Sequence, residues 1–329
     1  MSFGASAPWS VGVEEELFLV DARTLATAPL FSEVVPEPGE RLKPELFACI
    51  VEITTPICAS AEGILDELRR RRLDIAARAE THGATILAAG THPLARGAGQ
   101  PIVPRQRYLD LAAKLGDRIY RQLVCGLHVH IGVASAEACL HALEGVLPWL
   151  PVVLALSANS PFVEGDDSGV RSARAGRLAE LPSGGAPPVL HSWRDWEAAV
   201  GADYTRRLWD VRPHPRFGTL EVRIADQQTG VRRSAGLAAL VQALVAAVAG
   251  EQRQPCDRDR YAERRVRAAA GPPDPGEVAG LGQLVEPAAR ELGGWPLVEE
   301  LLAGAPEAER QLELGLPAAV QDIADRSLA

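Results

Sequence analysis

The sequence predicts an α+β fold with a mainly antiparallel sheet. Short segments at residues 11–20, 127–133 and 216–225 alternate in side-chain type with a period of two, which is typical of strands. Longer segments between them have the apolar spacing of helices, yet strands and helices do not follow a strict βαβ rhythm. A doubly wound parallel sheet needs that rhythm, so the pattern favours antiparallel pairing.

The individual elements follow from local signals along the chain. Ser60 is placed to cap a helix that continues through Ala79, and Gly83 is placed to end it. The arginine run from Arg69 to Arg72 indicates a solvated face of this helix. The predicted strands lie at 11–20, 49–54, 85–89, 127–133 and 216–225, and the further predicted helices at 109–123, 136–147, 234–249 and 282–302.

Two segments lack a clear period. Residues 159–192 are rich in Gly, Pro, Ser and Asp and predict a long loop, of the kind that often forms a binding loop or a lid. Residues 250–274 are polar and rich in arginine, and they contain a Pro-Pro pair. We expect one catalytic domain over residues 1–329, with the motif-bearing part at 10–250 and a divergent helical region at 251–329.

Charge and cysteine content narrow the function classes. The 34 basic and 43 acidic residues give a net charge of −9, which argues against a broad binding surface for nucleic acid or for anionic lipid. The five cysteines contain no C-x-x-C pair, so neither a disulfide framework nor a cysteine zinc site is expected. With no signal peptide or membrane span in the pattern, we expect a soluble cytoplasmic protein.

The lysine count is unusually informative. Lys43 and Lys114 are the only lysines, and neither follows a glycine, so the G-x-x-x-x-G-K-[ST] phosphate loop is excluded. Any phosphate chemistry must therefore depend on arginine and on metal ions.

Acidic and histidine side chains recur on the predicted strands. Glu14 and Glu16 share one strand face, and two carboxylates in one cavity need a cation between them, for which Mg²⁺ or Mn²⁺ is suited. His128 and His130 form an H-x-H pair, and Glu52 is a lone acid in an apolar strand. Taken singly, each pattern is also compatible with a solvated edge strand or a structural pair. A further strand carries Glu221 and Arg223 on one face.

Taken together, these blocks resemble the carboxylate-amine ligases of the type-2 glutamate-cysteine ligase group, which are also called YbdK-like. The resemblance covers most of residues 10–250 in the order of the family. The matching blocks are GVEEELFLVD from Gly12, VEITTPIC from Val51, AGTHP from Ala89, GLHVHIG from Gly126, ALSANSPF from Ala155, LWDVRP from Leu208 and RFGTLEVR from Arg216.

The resemblance implies a glutamine synthetase-like catalytic fold and an ATP-dependent reaction with Mg²⁺ or Mn²⁺. A small carboxylic acid, for example an amino acid such as glutamate, would be phosphorylated to an acyl phosphate and then attacked by an amine. The family also implies a homo-oligomer. By position in the motifs, the resemblance implies metal ligation by Glu14, Glu16, Glu52, His128 and Glu221.

The remaining roles implied by the resemblance concern the nucleotide and the substrates. Arg223 would meet the transferred phosphoryl group, and guanidinium groups elsewhere would pair with carboxylate or phosphate oxygens. The full assignment is catalysis for Arg223, Arg174 and Arg216, nucleotide binding for His130, Arg212, Trp209 and Arg267, and substrate binding for Asn159, Ser160 and Arg171.

Two departures from the family pattern leave alternatives open. The loop usually written D-T-G-Y-A-S-x-R reads DSGVRSAR from Asp167, which loses a tyrosine and gains Arg171. The C-terminal N-x-W-R-A-A-R-Y-G block is reduced to RRVRAAAG from Arg264, which keeps Arg267 but lacks the second arginine. The reduced C-terminal block makes a non-catalytic or regulatory ATP-binding homologue a competing hypothesis. A metal-dependent hydrolase, which would use the same acids with His128 and His130 to activate water, is a further one.

Overall fold

A seven-stranded antiparallel sheet forms the centre of the computed structural model, which describes residues 1–181, 183–249 and 255–329. The strand order is β2-β3-β1-β5-β9-β8, and β4 also pairs with β1. The predicted α+β class with antiparallel pairing is thus confirmed. The strands are β1 (Val11–Asp21), β2 (Leu42–Pro44), β3 (Ile50–Thr54), β4 (Ala84–Leu87), β5 (Gly126–Gly132), β6 (Phe162–Val163), β7 (Asp166–Asp167), β8 (Val211–His214) and β9 (Thr219–Asp226), of which β6 and β7 form a separate hairpin.

Helices cover one face of the sheet and part of the other. Within the described ranges, short 3₁₀ segments lie at Gly116–Gln122, Leu147–Trp149 and Tyr204–Arg206. The α-helices of the described chain are α1 (Phe31–Val34), α2 (Ala61–Glu80), α3 (Gln106–Leu115), α4 (Ala136–Val146), α5 (Leu150–Ser157), α6 (Ala173–Ala179), α7 (Trp193–Val200), α8 (Val231–Val248), α9 (Arg258–Ala270), α10 (Pro275–Glu291), α11 (Trp295–Ala303), α12 (Glu307–Leu314) and α13 (Ala318–Arg326).

The alternation along β1 separates the core from the functional face. Val11 and Val13 are fully buried in the hydrophobic cluster that contains residues of α2, α4 and α8. Glu14 and Glu16 point to the opposite face, where they line a large cavity. This is the period of two that the sequence predicts, and it places both carboxylates on one side.

Helix α2 confirms its predicted ends but not its predicted arginine face. Ser60 accepts a hydrogen bond from the Gly63 amide, and Gly83 takes a positive φ of 68° just beyond the helix. Arg72, however, is fully buried, with its Nε 2.8 Å from an oxygen of Glu15. The run is therefore not wholly solvated, because its last member pairs with the core-facing acid of β1.

Other boundaries differ from the sequence prediction for identifiable reasons. The helix predicted over 109–123 is α3 followed by a 3₁₀ segment, with Gly116 at positive φ between them. The predicted loop at 159–192 contains the β6–β7 hairpin and α6, whose cap is Ser172. The predicted polar segment at 250–274 contains α9, and its first residues, 250–254, lie outside the described residues.

Among the residues that the structure describes, two helical stretches are long and apolar enough to cross a membrane. They are Ala136–Ser157 and Val231–Val248, and 83% and 78% of their most apolar windows are buried inside the protein. Their burial identifies them as core helices of the fold rather than as lipid-facing spans.

Candidate active site

A cavity of about 1260 Å³ lies over the polar face of the sheet. Its floor is formed by β1, β2, β3, β5, β8 and β9, and its walls include one side of α3 and the segment around the 3₁₀ turn Tyr204–Arg206. All five of the predicted metal ligands line this cavity, namely Glu14, Glu16, Glu52, His128 and Glu221.

Strand register brings these residues together. Across the sheet, Glu52 pairs with Glu16, Glu14 pairs with His128, and His130 pairs with Glu221. Register is set by the buried side of each strand, and a slip of one residue would turn every one of these groups away from the cavity. The apolar core face therefore fixes the positions of the active-site row, by which we mean Glu16, Glu52, Glu14, His128, His130 and Glu221 on the opposite face.

The first cluster consists of Glu14, His128 and Glu221, which offer ligand atoms within 4.8 Å of one another. His128 Nδ1 lies 3.6 Å from Glu14 Oε2. Burial and the charge of Arg223 lower the pKa of His128 to about 3, so its ring is neutral at pH 7 and has a lone pair for a metal. Burial alone would raise the pKa of Glu14, but hydrogen bonds to His128 and His130 hold it well below its ordinary value.

The second cluster consists of Glu16, Glu45 and Glu52, again with ligand atoms within 4.8 Å of one another. Burial raises the pKa of Glu16 and of Glu45 to about 7. Burial and the charges of Glu14 and Glu45 raise the pKa of Glu52 to about 8. Three carboxyl groups that resist ionisation together form a site that needs a cation. Sequence reasoning missed Glu45, which follows the short strand β2.

The donor set of both clusters fits divalent metal ions. The second cluster offers carboxylate oxygens alone, and the first offers two carboxylates and one imidazole nitrogen. Carboxylate oxygens suit Mg²⁺ and Mn²⁺, and the described clusters contain no cysteine ligand. His130 Nε2 is buried, lies 3.7 Å from Glu14 Oε2 and has no hydrogen-bond partner among the described residues. A bound cation or phosphate oxygen would satisfy this atom.

Two arginines neutralise the negative charge of Glu221, at one end of the active-site row. Arg212 contacts both oxygens of Glu221, with Nε 2.6 Å from Oε2 and Nη2 3.2 Å from Oε1. Arg223 also donates to Glu221, and its Nη1 lies 3.4 Å from His128 Nδ1. Burial opposes ionisation of Glu221, but these two charges hold its pKa well below its ordinary value. Both guanidinium groups line the cavity, where they can meet anionic oxygens.

Arg174 reaches the cavity from below. It is buried, and its guanidinium donates to the backbone oxygens of Ile224 and Arg223 at 3.2 Å. Gly126 makes room for it, since a Cβ there would lie 2.1 Å from Arg174 Nη2. The Gly126 amide in turn donates to Glu16 at 2.6 Å, so this glycine serves both groups.

The other residues predicted to contact nucleotide or substrate are more dispersed. Trp209 lines the cavity but belongs to the main hydrophobic cluster and is 4% exposed. Arg216 lies at the rim, where it pairs with the exposed Glu40. Arg267 is exposed on α9, outside the cavity lining.

Asn159, Ser160 and Arg171 do not line the cavity either. Asn159 and Ser160 are fully buried and bind the carboxylate of Asp226 at the end of β9. Arg171 pairs with Glu309 of α12 at 2.9 Å. The structure therefore places these three residues in contacts within the protein and outside the cavity lining, and their role in substrate binding stays a prediction. Ser160 acts indirectly, since its hydroxyl accepts the Arg174 amide at 3.1 Å.

Helix α9 reaches the site through a different arginine. Arg265 contacts both oxygens of Asp210, at 2.7 and 3.0 Å, and the Tyr261 hydroxyl donates to the same carboxylate at 2.7 Å. Asp210 lines the cavity, and its backbone oxygen accepts the Arg223 amide at 2.8 Å. Tyr261 and Arg265 lie four residues apart on one face of the helix. This spacing is the sequence signal that predicts a shared contact for the two side chains.

The profile of glutamate-cysteine ligase family 2 (GCS2) matches residues 10–324 of the chain. The chain belongs to this family. A relative from Rubrobacter xylanophilus named "Putative glutamate-cysteine ligase 2-3" is 40% identical over 279 residues, which cover 81% of this chain and 76% of the relative. A relative from Solibacter usitatus named "Putative glutamate-cysteine ligase 2" is 34% identical over 311 residues, which cover 89% of this chain and 79% of the relative.

Solved ligase structures share the fold of this family member. A glutamate-cysteine ligase from Francisella tularensis, described in complex with AMP, has a TM-score of 0.70 at 14% identity and covers 97% of this chain and 87% of its own. A bifunctional glutathione synthetase from Pasteurella multocida has a TM-score of 0.66 at 17% identity, with coverages of 97% and 51%. At these identities the likeness concerns the fold.

The two departures from the family pattern meet in space. The backbone amides of Arg171 and Ser172, in the altered loop, both donate to the Ala269 oxygen of the altered helix, at 2.8 and 3.0 Å. In this member of the GCS2 family, the loop and the helix that diverge in sequence therefore pack directly on each other, beside Arg174.

Proposed function

We propose that this protein is an ATP-dependent carboxylate-amine ligase. The observation that carries the proposal is the convergence of two acid clusters and two arginines on one cavity floor, namely Glu14 with His128 and Glu221, and Glu16 with Glu45 and Glu52, beside Arg212 and Arg223. Such an arrangement suits phosphoryl transfer, which depends on positioning and on neutralisation of charge.

Divalent ions bound by the two clusters would neutralise the phosphate oxygens and polarise the phosphorus that is attacked. The chain itself contributes the acids that hold them and the arginines that flank them. Arg223 is 18% exposed and faces the cavity beside His128, so its guanidinium can approach the γ-phosphoryl oxygens. Arg212 stays on Glu221 and keeps that carboxylate ionised.

In the first step a carboxylate oxygen of the acid attacks the γ-phosphorus of ATP. The bond from phosphorus to the bridging oxygen breaks, ADP leaves and an acyl phosphate remains. In the second step the amine nitrogen attacks the acyl carbon, the carbon–oxygen bond to phosphate breaks, and one proton leaves the nitrogen. The products are an amide, ADP and inorganic phosphate. Arg174, which also lines the cavity, would stabilise the negative oxygens in both steps.

Exposed arginines at the cavity mouth suit an anionic acid substrate. Arg41, Arg107 and Arg206 line the rim, where Arg206 pairs with Asp110 and Asp203 and leaves the other two as the candidates for the substrate carboxylate. The names of the curated relatives make glutamate and cysteine the first acid and amine to test. We also propose that the protein works in the cytoplasm, where ATP is available.

The experiment is to incubate the purified protein with ATP, Mg²⁺ and a panel of acids and amines that includes glutamate with cysteine, and to follow ADP release and product mass. We expect release of ADP that requires both an acid and an amine. ATP binding without turnover for any pair would favour a regulatory homologue instead. Turnover of a substrate with metal but without ATP would favour a hydrolase.

A further inference from the structure

Lys43 links the two acid clusters. Its Nζ lies 3.1 Å from Glu14 Oε1 and 2.7 Å from Glu52 Oε1. Glu14 belongs to the cluster with His128, and Glu52 belongs to the cluster with Glu16. A single ammonium group therefore bridges two sets of carboxylates that are each suited to hold a divalent ion.

The position of Lys43 is fixed by the sheet, whereas its ammonium can move. Lys43 lies directly opposite Glu52 in the pairing of β2 with β3, so its side chain emerges over the cavity floor. Its side chain is 30% exposed, compared with 10% and 9% for Glu14 and Glu52. A four-carbon stem on an edge strand can turn its charge toward the open cavity without moving the backbone.

We propose that Lys43 is an internal cation that stabilises the metal-free site and competes with the incoming divalent ions. The inference rests on the metal requirement of the proposed function. Without metal, the ammonium offsets the repulsion between the clustered carboxylates. When the clusters bind metal, the ammonium leaves their midpoint and turns toward the cavity, since two cations cannot share the same carboxylate oxygens without strong repulsion.

The test uses the two lysines of the chain as a matched pair. Lys43→Met and Lys114→Met remove the same charge and the same ammonium, but Lys114 makes no ion pair with any residue in the described ranges. Binding of Mn²⁺ is measured from the electron paramagnetic resonance signal of the free ion, and the melting temperature is measured in EDTA. Neither readout requires turnover.

We expect Lys43→Met to bind Mn²⁺ roughly tenfold more tightly than the wild-type protein, because a fixed positive charge has left the site. In EDTA the same variant should melt at a lower temperature, because the acids have lost their counter-ion. Lys43→Arg, which keeps the charge, should bind Mn²⁺ at most as tightly as the wild type. Lys114→Met should match the wild type in both measurements.

Equal or weaker Mn²⁺ binding by folded Lys43→Met would overturn the inference and would leave the proposed function intact. Absence of Mn²⁺ binding by the wild-type protein would instead contradict the metal site on which the proposed function depends. If Lys43→Met does not fold, Lys43→Gln gives the same comparison with a polar side chain.

Discussion

Arg212 holds Glu221 in a two-point ion pair at the end of the active-site row, with Nε 2.6 Å and Nη2 3.2 Å from the two carboxylate oxygens. Both side chains are at least nine-tenths buried. The pair lies between neighbouring residues of β8 and β9, so it stabilises the sheet as well as the charge of the site. Removing one partner would leave the other charge in a poorly solvated place.

Arg212→Leu should lower the free energy of unfolding by about 3 kcal/mol, at the lower end for a broken buried pair because Arg223 still contacts Glu221. Urea denaturation measures this. Arg216→Leu is the control, since its partner Glu40 is 89% exposed and the pair is worth at most about 1 kcal/mol. Equal losses in the two variants would contradict the assignment.

Glu15, the acid of β1 that faces the core, is the basis of a second prediction about stability. Arg72→Met leaves Glu15 fully buried without its cation and frees the backbone oxygen of Gln228, so the free energy of unfolding should fall by about 3–5 kcal/mol. Arg70→Met, which breaks an exposed pair with Glu67, should change it by less than about 1 kcal/mol. Thermal and urea unfolding of the two variants separate these outcomes.

Glu45 provides a direct test of the second cluster. Glu45→Gln should weaken Mn²⁺ binding about a hundredfold and lower the rate of ADP release, because a neutral amide is a poor ligand beside two remaining carboxylates. Glu40→Gln removes an exposed acid at the cavity rim and should leave Mn²⁺ affinity unchanged. Metal titration with wild-type-like affinity for Glu45→Gln would remove this residue from the site.

The raised pKa values of Glu16, Glu45 and Glu52, about 7, 7 and 8, predict how the metal-free protein responds to pH. Above their ordinary pKa of 4.5, the folded state binds more protons at these groups than the unfolded chain does, so stability falls as pH rises. His128, whose pKa is lowered to about 3, makes stability rise with pH, but only between its folded pKa and its ordinary value of 6.5.

The melting temperature in EDTA should therefore decrease between pH 6.5 and pH 8. With saturating Mg²⁺ the decrease should disappear, because the metal binds the ionised carboxylates and replaces their protons. A melting temperature that rises over this interval without metal would contradict the raised pKa values of the clustered acids.

The sequence predicted the parts of the site that follow strand periodicity. Glu14, Glu16, His128 and Glu221 all lie on strands whose sequences alternate in side-chain type, and their buried neighbours fix which face they take. The pairing of β5 with β9 shifts register between Leu127 and Val129, which the sequence pattern does not predict. The sequence did not predict Glu45 as a site residue, because Glu45 lies just beyond a strand of three residues, which is too short to show alternation. The meeting of Glu45 with Glu16 depends on the pairing of β2 with β3 and of β3 with β1.

Arginines were harder to assign, because a guanidinium group can pair with substrate or with the protein. Arg171 and Arg267 occur in motif-like positions, yet one pairs with Glu309 and the other is exposed. Arg265 and Arg72, each beside another arginine in the chain, are the buried ones. Neighbours in the sequence point in different directions around a helix, so only the packed structure separates them.

In the proposed reaction, a carboxylate of the substrate is activated by phosphoryl transfer. Labelling the carboxylates of the acid with ¹⁸O tests this step, in the acid and amine pair that releases ADP, beginning with glutamate and cysteine. We expect each amide formed to be accompanied by one ¹⁸O atom in inorganic phosphate, because the oxygen that attacked phosphorus leaves with it. Amide formation with unlabelled phosphate would contradict it.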